Sequence, residues 1–219
     1  MLIDLFVIIL AVVVFYYASL RFDAGALKAA MGGAKGPTQV ARMIEFADRL
    51  YGQRKWLAAE KAYLEVLKRD HKNLVAYSHL GVIYSTQKNY ADAIECFKIA
   101  ASLSPSAATW QNLGLAQYEN KEYASAAAAF EKAIIAEPSA QRYLAVGRAY
   151  KQLGDVPHMI PALERAAELD PSFKVLQALF EGYKMAGDKP KATEIYYKLK
   201  EMLPAETKGL PKRRVVRNI

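Results

Sequence analysis

Cysteine is nearly absent from this 219-residue chain. Cys96 stands alone, which excludes an intramolecular disulfide framework and any cysteine-based zinc site. Histidine is scarce as well: His71, His79 and His158 lie at no metal-ligand spacing, and no acid or nucleophile is read at helical spacing from His79 or His158. There is no Ser/His/Asp set, no phosphate-cradling glycine loop and no HExxH pair. The sequence therefore predicts no catalytic residues, no metal site, no cofactor and no enzymatic activity. Alternating Val/Ile/Thr stretches are rare while alanine and tyrosine abound, which favours helices over sheets.

The net charge is +8, but the body of the chain carries little of it. Lys208, Lys212, Arg213, Arg214 and Arg217 against Glu206 make residues 205–219 a basic tail. Arg21, Lys28 and Lys35 outnumber Asp23 before the body begins. A nucleic-acid-binding face requires a clustered basic stripe along the domain, and none is read here, so no nucleic-acid partner is expected.

Charge is also missing from one long stretch. "LFVIILAVVVFYYASL", residues 5–20, contains none, and with Leu2 and Ile3 only Asp4 interrupts the apolar run. As a helix it spans roughly 28 Å, close to the hydrocarbon thickness of a bilayer. Tyr16 and Tyr17 suit the interfacial aromatic belt, and Arg21 suits the headgroups. Residues 1–22 are read as a single-pass membrane anchor, contacting lipid through residues 3–20. Arg21, Lys28, Lys35 and Arg42 all follow the span and no Lys or Arg precedes it, so the positive-inside rule leaves the C-terminal bulk in the cytoplasm. A cleaved signal is the alternative, with "AGA" at residues 24–26 as the cleavage site and an exported domain as the outcome. Residues 23–39, with "GGAKGP", read as a flexible linker.

Beyond residue 40 the chain repeats itself. Pro105, Pro138, Pro171 and Pro204 recur every 33 residues, as do Phe97, Phe130, Leu163 and Tyr196. Gly81, Gly114 and Gly147 keep the beat, and Phe180 stands at the next position. Trp56, Ala59 and Tyr63 precede Tyr90, Ala93 and Phe97 by 34 residues, giving an earlier copy. Each unit has two helical stretches around a short polar turn such as "TQKN" or "QLGD". Glycine inside a helix costs about 1 kcal/mol against alanine, so the three glycines point to a close helix approach. Ala93 and Ala126 fill the matching small position, with Phe97 and Phe130 plugging the space between adjacent units. Pro157 and Pro161 predict a delayed or kinked second helix in the fourth repeat.

These residues resemble the tetratricopeptide repeat (TPR): aromatic, Leu-Gly, Tyr, small, aromatic, Ala and a closing Pro, over about residues 40–204. The resemblance implies an all-α solenoid of five helix-turn-helix repeats (40–73, 74–106, 107–139, 140–172, 173–205) behind the N-terminal transmembrane helix. It further implies a concave groove on the first helices, which binds a peptide or helix of a partner protein. Mapped onto this chain, the groove positions are Asp48 and Tyr51; Ser78, Val82 and Ser85; Gln111, Leu115 and Tyr118; Leu144, Arg148 and Lys151; and Gln177, Glu181 and Lys184. Repeats that bind chaperone C-terminal carboxylates carry a Lys/Asn/Lys/Arg clamp. Those places hold Ile44, Asp48, His79 or Asn112, and Ala145, so the clamp is not expected to work here.

The layout of anchor plus repeats is similar to that of the bacterial lipopolysaccharide assembly protein B, without its paired CxxC metal module. Only the layout is carried over, not that protein's activity, and the chain is read as a membrane-anchored scaffold or adaptor. An assembly subunit held through the ends of the repeat stack remains the alternative.

Overall fold

The computed structural model describes residues 37–203. Within them the chain forms ten α-helices and no strand: α1 Pro37–Gly52, α2 Trp56–Arg69, α3 Leu74–Thr86, α4 Tyr90–Leu103, α5 Ala107–Glu119, α6 Tyr123–Ala136, α7 Ala140–Leu153, α8 Val156–Leu169, α9 Phe173–Ala186 and α10 Lys189–Met202. The expected anchor, most of the expected linker and the basic tail lie outside the described residues. Residues 37–39, expected to belong to the linker, are helical, because α1 opens at Pro37. Proline suits the first helical turn, where a backbone N–H has no intrahelical partner anyway.

Side chains at the helix starts set the boundaries between repeats. Asn73 accepts a hydrogen bond from the Ala76 N–H at 3.0 Å, and Ser106 and Thr109 form a capping box. Ser139 caps α7 in the same way by accepting from the Arg142 N–H. Each supplies an oxygen to an otherwise orphaned donor. Pro105 and Pro138 sit in two of these breaks, between α4 and α5 and between α6 and α7, and Pro171 sits between α8 and α9, where Ser172 makes no side-chain cap.

The turn inside each repeat has one left-handed residue. Arg54, Lys88 and Lys121 have φ of 57°, 62° and 64°, and Gly154 and Gly187 have 72° and 74°. The position recurs every 33 or 34 residues, as the repeats do. Three repeats hold a side chain where glycine would be unstrained.

The chain divides after Pro105 into two compact units. In the first, α1–α4 enclose Met43, Ala47, Tyr63, Val66, Leu80 and Ile83, with Cys96 at the edge of that cluster. In the second, α5–α10 enclose a cluster around Phe130, Val146 and Ala149 and another around Met159, Leu163, Leu176, Leu179 and Ile195.

The glycines do what their spacing implies. A Cβ on Gly81 would stand 2.5 Å from the Phe97 ring, one on Gly114 2.6 Å from Phe130, and one on Gly147 2.5 Å from Leu163. These contacts join the two helices of one repeat, a packing role for Phe97 and Phe130 beyond the expected plugging of the space between adjacent units. Phe130 does both, since it also clusters with Val146 and Ala149 of the following repeat. In the last repeat Phe180 occupies the glycine position. Its counterpart Tyr196 cannot settle over a phenyl ring, stays 49% exposed and meets it at a tilt of 40° with the ring centres 6.3 Å apart.

The fourth repeat corrects the expected delay of its second helix. α8 starts at Val156, on the 33-residue beat from Tyr123, so it is not delayed. Asp155 accepts from the His158 N–H, Pro157 sits in the first turn, and Pro161 faces solvent. The Pro157 carbonyl that Pro161 cannot serve is therefore near water rather than in the core.

Candidate functional site

The second unit holds a cleft of about 300 Å³ bordered by α5, α7 and α9. Its floor is Gly147 and Leu163, the same tight pair that joins α7 to α8. Tyr118, Arg148, Lys151, Gln177 and Glu181 line the walls, so five of the sequence-derived groove positions converge on one space. Gln152, Lys174 and Ala178 complete it.

The charges in the cleft are of two kinds. The Lys151 ammonium donates to the Glu181 carboxylate, so these two offset each other between adjacent repeats. Arg148 and Lys174 are exposed and make no ion pair among the described residues. The cleft thus offers two unneutralised cations beside a phenol and an amide, a set that attracts carboxylates and hydrogen-bonds a peptide backbone.

The remaining groove positions are placed differently. Leu144 is buried in the core and cannot face a ligand. Lys184 lies over the Phe180 ring at 5.5 Å, away from the cleft. Leu115 is 46% exposed on α5, and the Gln111 side-chain oxygen is buried there without a hydrogen bond. In the first unit Ser78, Val82 and Ser85 share one half-buried face of α3.

Asp48 and Tyr51 belong to a cluster drawn from three helices. The Tyr63 hydroxyl donates to Asp48 at 2.6 Å, the His79 ring stacks on Tyr63 at 5.1 Å, and Tyr51 lies 4.6 Å from His79. His79 Nδ1 is 3.6 Å from Asp48, too long for a hydrogen bond. Burial first, and the Asp48 carboxylate second, push the Tyr63 phenol well above its ordinary range. The acid facing His79 comes from another helix, so helical spacing did not show it. His158 is a plainer correction: Asp155, three residues earlier, takes its Nδ1 at 2.8 Å.

Tyrosine–carboxylate pairs also tie repeats together. Tyr183 on α9 donates to Glu164 on α8 at 2.6 Å, and Tyr150 on α7 donates to Glu131 on α6. In the first unit Tyr84 approaches Glu60 at 3.5 Å, with the Gln87 amide donating to the other oxygen at 3.2 Å. Burial chiefly, then the carboxylate, pushes the Tyr84 and Tyr150 phenols up to about 12. Cys96 is buried and its thiol is pushed up to about 11 by desolvation. Among the described residues no group of His, Cys, Asp or Glu is arranged to hold a metal.

Antiparallel helix pairs on a 33-residue beat, with glycine under an aromatic or leucine plug, define a helical-repeat protein. Tetratricopeptide repeat models match residues 44–108, 79–142 and 140–173, and the chain belongs to the tetratricopeptide repeat family. It is similar to the crystal structure of a MamA protein, at 25% identity and a TM-score of 0.71, covering 79% of this chain and 96% of that one. A MamA fragment from Desulfovibrio magneticus RS-1 shares the fold at 21% identity and a TM-score of 0.70, over 81% of this chain and 100% of that one. So does YrrB, described as a TPR protein with an unusual peptide-binding site, at 18% identity and 0.68, over 76% and 87%. No curated protein matches the chain.

Proposed function

We propose that the chain is a membrane-anchored TPR scaffold that captures an acidic segment of a partner protein in the cleft of its second unit. The supporting observation is the convergence of Tyr118, Arg148, Lys174 and Gln177 on one cleft in which Arg148 and Lys174 stay unpaired. An extended segment gives the glutamine a backbone to bond and the two cations its carboxylates. YrrB offers a precedent for a peptide-binding site on this fold. The membrane location rests on the uncharged run at residues 5–20 and on the cations that follow it. No helix among the described residues is long and apolar enough to cross a membrane. An anchor raises the local concentration of whatever the cleft holds. None of the groups in the cleft is paired as nucleophile and base, and the reading includes no catalysis.

A second reading has one observation in its favour. Tyr196, Tyr197 and Met202 on α10 are 49%, 57% and 47% exposed, an apolar end on which a neighbouring subunit could stack. Photocrosslinking in cells from a reactive residue at Tyr118 separates the two. A discrete adduct that disappears in Arg148→Glu/Lys174→Glu supports the cleft. Adducts arising only from position 197 support the subunit. Adducts with proteins from across the membrane overturn the cytoplasmic orientation.

A further inference from the structure

The second helix of each repeat turns one stripe outward, made of its second, sixth, ninth and thirteenth residues. Comparing that stripe between repeats gives an internal control, since the fold is the same in each. On α2 it reads Leu57, Lys61, Leu64 and Lys68, all exposed. On α4 its charges, Glu95 and Lys98, pair at 2.8 Å and cancel. On α6 only Glu131 is charged, on α8 Glu164 and Glu168, and on α10 Glu194 and Glu201. Of those glutamates, Glu164 is offset by Lys191 at 3.2 Å, Glu168 by Arg165 and Glu194 by Lys198 at 2.7 Å, so the first repeat is the one whose stripe carries two cations. The fold does not require this.

The first repeat combines those cations with apolar side chains left in water. Leu57 and Leu64 are 47% and 40% exposed. Beside them lies an open depression of about 570 Å³ lined by Lys61, Leu64, Glu65, Leu67, Lys68 and His71. Lys61 has no carboxylate partner among the described residues, while Lys68 reaches Glu65 at 3.0 Å with most of its side chain in solvent. The three-residue turn between α1 and α2 makes them antiparallel. The start of α1 and the end of α2 thus lie together, which puts Pro37 at the end of the repeat that carries Lys68, His71 and Lys72.

We infer that this face of α2 is a contact surface for an anionic lipid bilayer. Leu57 and Leu64 enter the headgroup–acyl boundary, and Lys61 and Lys68 meet lipid phosphates. The inference rests on the proposed membrane location.

The test uses the full chain reconstituted with vesicles of phosphatidylcholine, alone or mixed with phosphatidylglycerol. An environment-sensitive dye is placed through Leu64→Cys or, at the equivalent stripe position, Tyr197→Cys; the buried native thiol stays unlabelled. We expect a blue shift and quenching by lipid-borne quencher at position 64 only, and only with phosphatidylglycerol. In Lys61→Glu/Lys68→Glu the ratio of lipid-facing to free chains falls by roughly five-fold for each lysine lost. Carbonate-resistant association with an unresponsive dye at position 64, or equal responses at 64 and 197, overturns the lipid face and leaves the anchor standing. A response at 64 from chains that carbonate strips away keeps the face and overturns the anchor. No association with either vesicle overturns both, and a dye at 64 that responds to an acidic polypeptide but not to lipid overturns the face alone.

Discussion

The Phe97 ring lies across Gly81 so closely that a single added carbon would stand 2.5 Å from it. Alanine is favoured over glycine in a helix by about 1 kcal/mol, but overpacking a core costs about 1–3 kcal/mol. Gly81→Ala and Gly114→Ala, which face rigid rings, should each lose about 1 kcal/mol in urea denaturation. Gly147→Ala should lose less, because Leu163 can change rotamer. Gly52→Ala, with nothing within 4 Å of the new carbon, should be neutral or stabilising by about 0.5 kcal/mol.

Turns give the opposite expectation. Lys88 and Lys121 hold left-handed backbone that Gly154 and Gly187 adopt without strain. Lys88→Gly and Lys121→Gly should each stabilise the chain by about 1 kcal/mol, partly offset by the added freedom of the unfolded chain. A fall in the denaturation midpoint for both would show that the lysine side chains contribute something the turn geometry does not reveal.

Much of this architecture was legible in the sequence because it depends on residue size at fixed spacing. Gly81 against Phe97 and Gly114 against Phe130 announce a close helix approach without any coordinates. What escaped was what depends on contacts between helices distant in sequence. Asp48, Tyr63 and His79 come from three helices, so no helical spacing links them. Lys174 was missed in the cleft because its position carries no family signal, whereas Leu144 was included because spacing alone cannot tell a rim position from a buried one. The regular start of α8 was missed because Pro161 was judged by its lost hydrogen bond and not by the solvent its neighbour's carbonyl faces.

Reversing Arg148 or Lys174 to glutamate should weaken binding of an acidic peptide by about five-fold each, on the scale of about 1 kcal/mol per exposed charge contact. Lys184→Glu, outside the cleft, should change it far less. Fluorescence anisotropy across a salt series checks both points, and the difference should shrink as salt screens the charges. Denaturation midpoints should stay put, since neither Arg148 nor Lys174 has an ion pair to lose.

Alkaline pH should loosen the stack. The Tyr84 and Tyr150 phenols are held up to about 12 in the folded chain, against about 10 when unfolded. The folded state therefore keeps its protons longer, so their contribution is complete below about pH 10 and is lost as pH rises toward 12. Tyr150→Phe should be less stable than the parent at pH 8, and that gap should narrow by pH 11. Thermal denaturation of both chains at the two pH values measures it.

Cys96 should behave as an inert thiol. A shift to about 11 from 9.0 lowers its thiolate fraction at neutral pH about a hundredfold. Reaction with an aromatic disulfide reagent should be slower than in denaturant by at least that factor, with burial slowing it further. Rapid labelling of the native chain would mean that α4 opens readily.

The tyrosine–carboxylate pairs also set a grammar for the array. The fourth repeat carries both halves, a phenol at Tyr150 reaching back and a carboxylate at Glu164 receiving the next tyrosine. A duplicated fourth repeat would find its complement on both sides, so the chain could lengthen there by one cassette without a mismatched join. The fifth repeat has Tyr197 where Glu131 and Glu164 stand in the two repeats before it. A sixth copy placed after it would bring a tyrosine with nothing to receive it, so lengthening is open in the interior of this unit and closed at its far end.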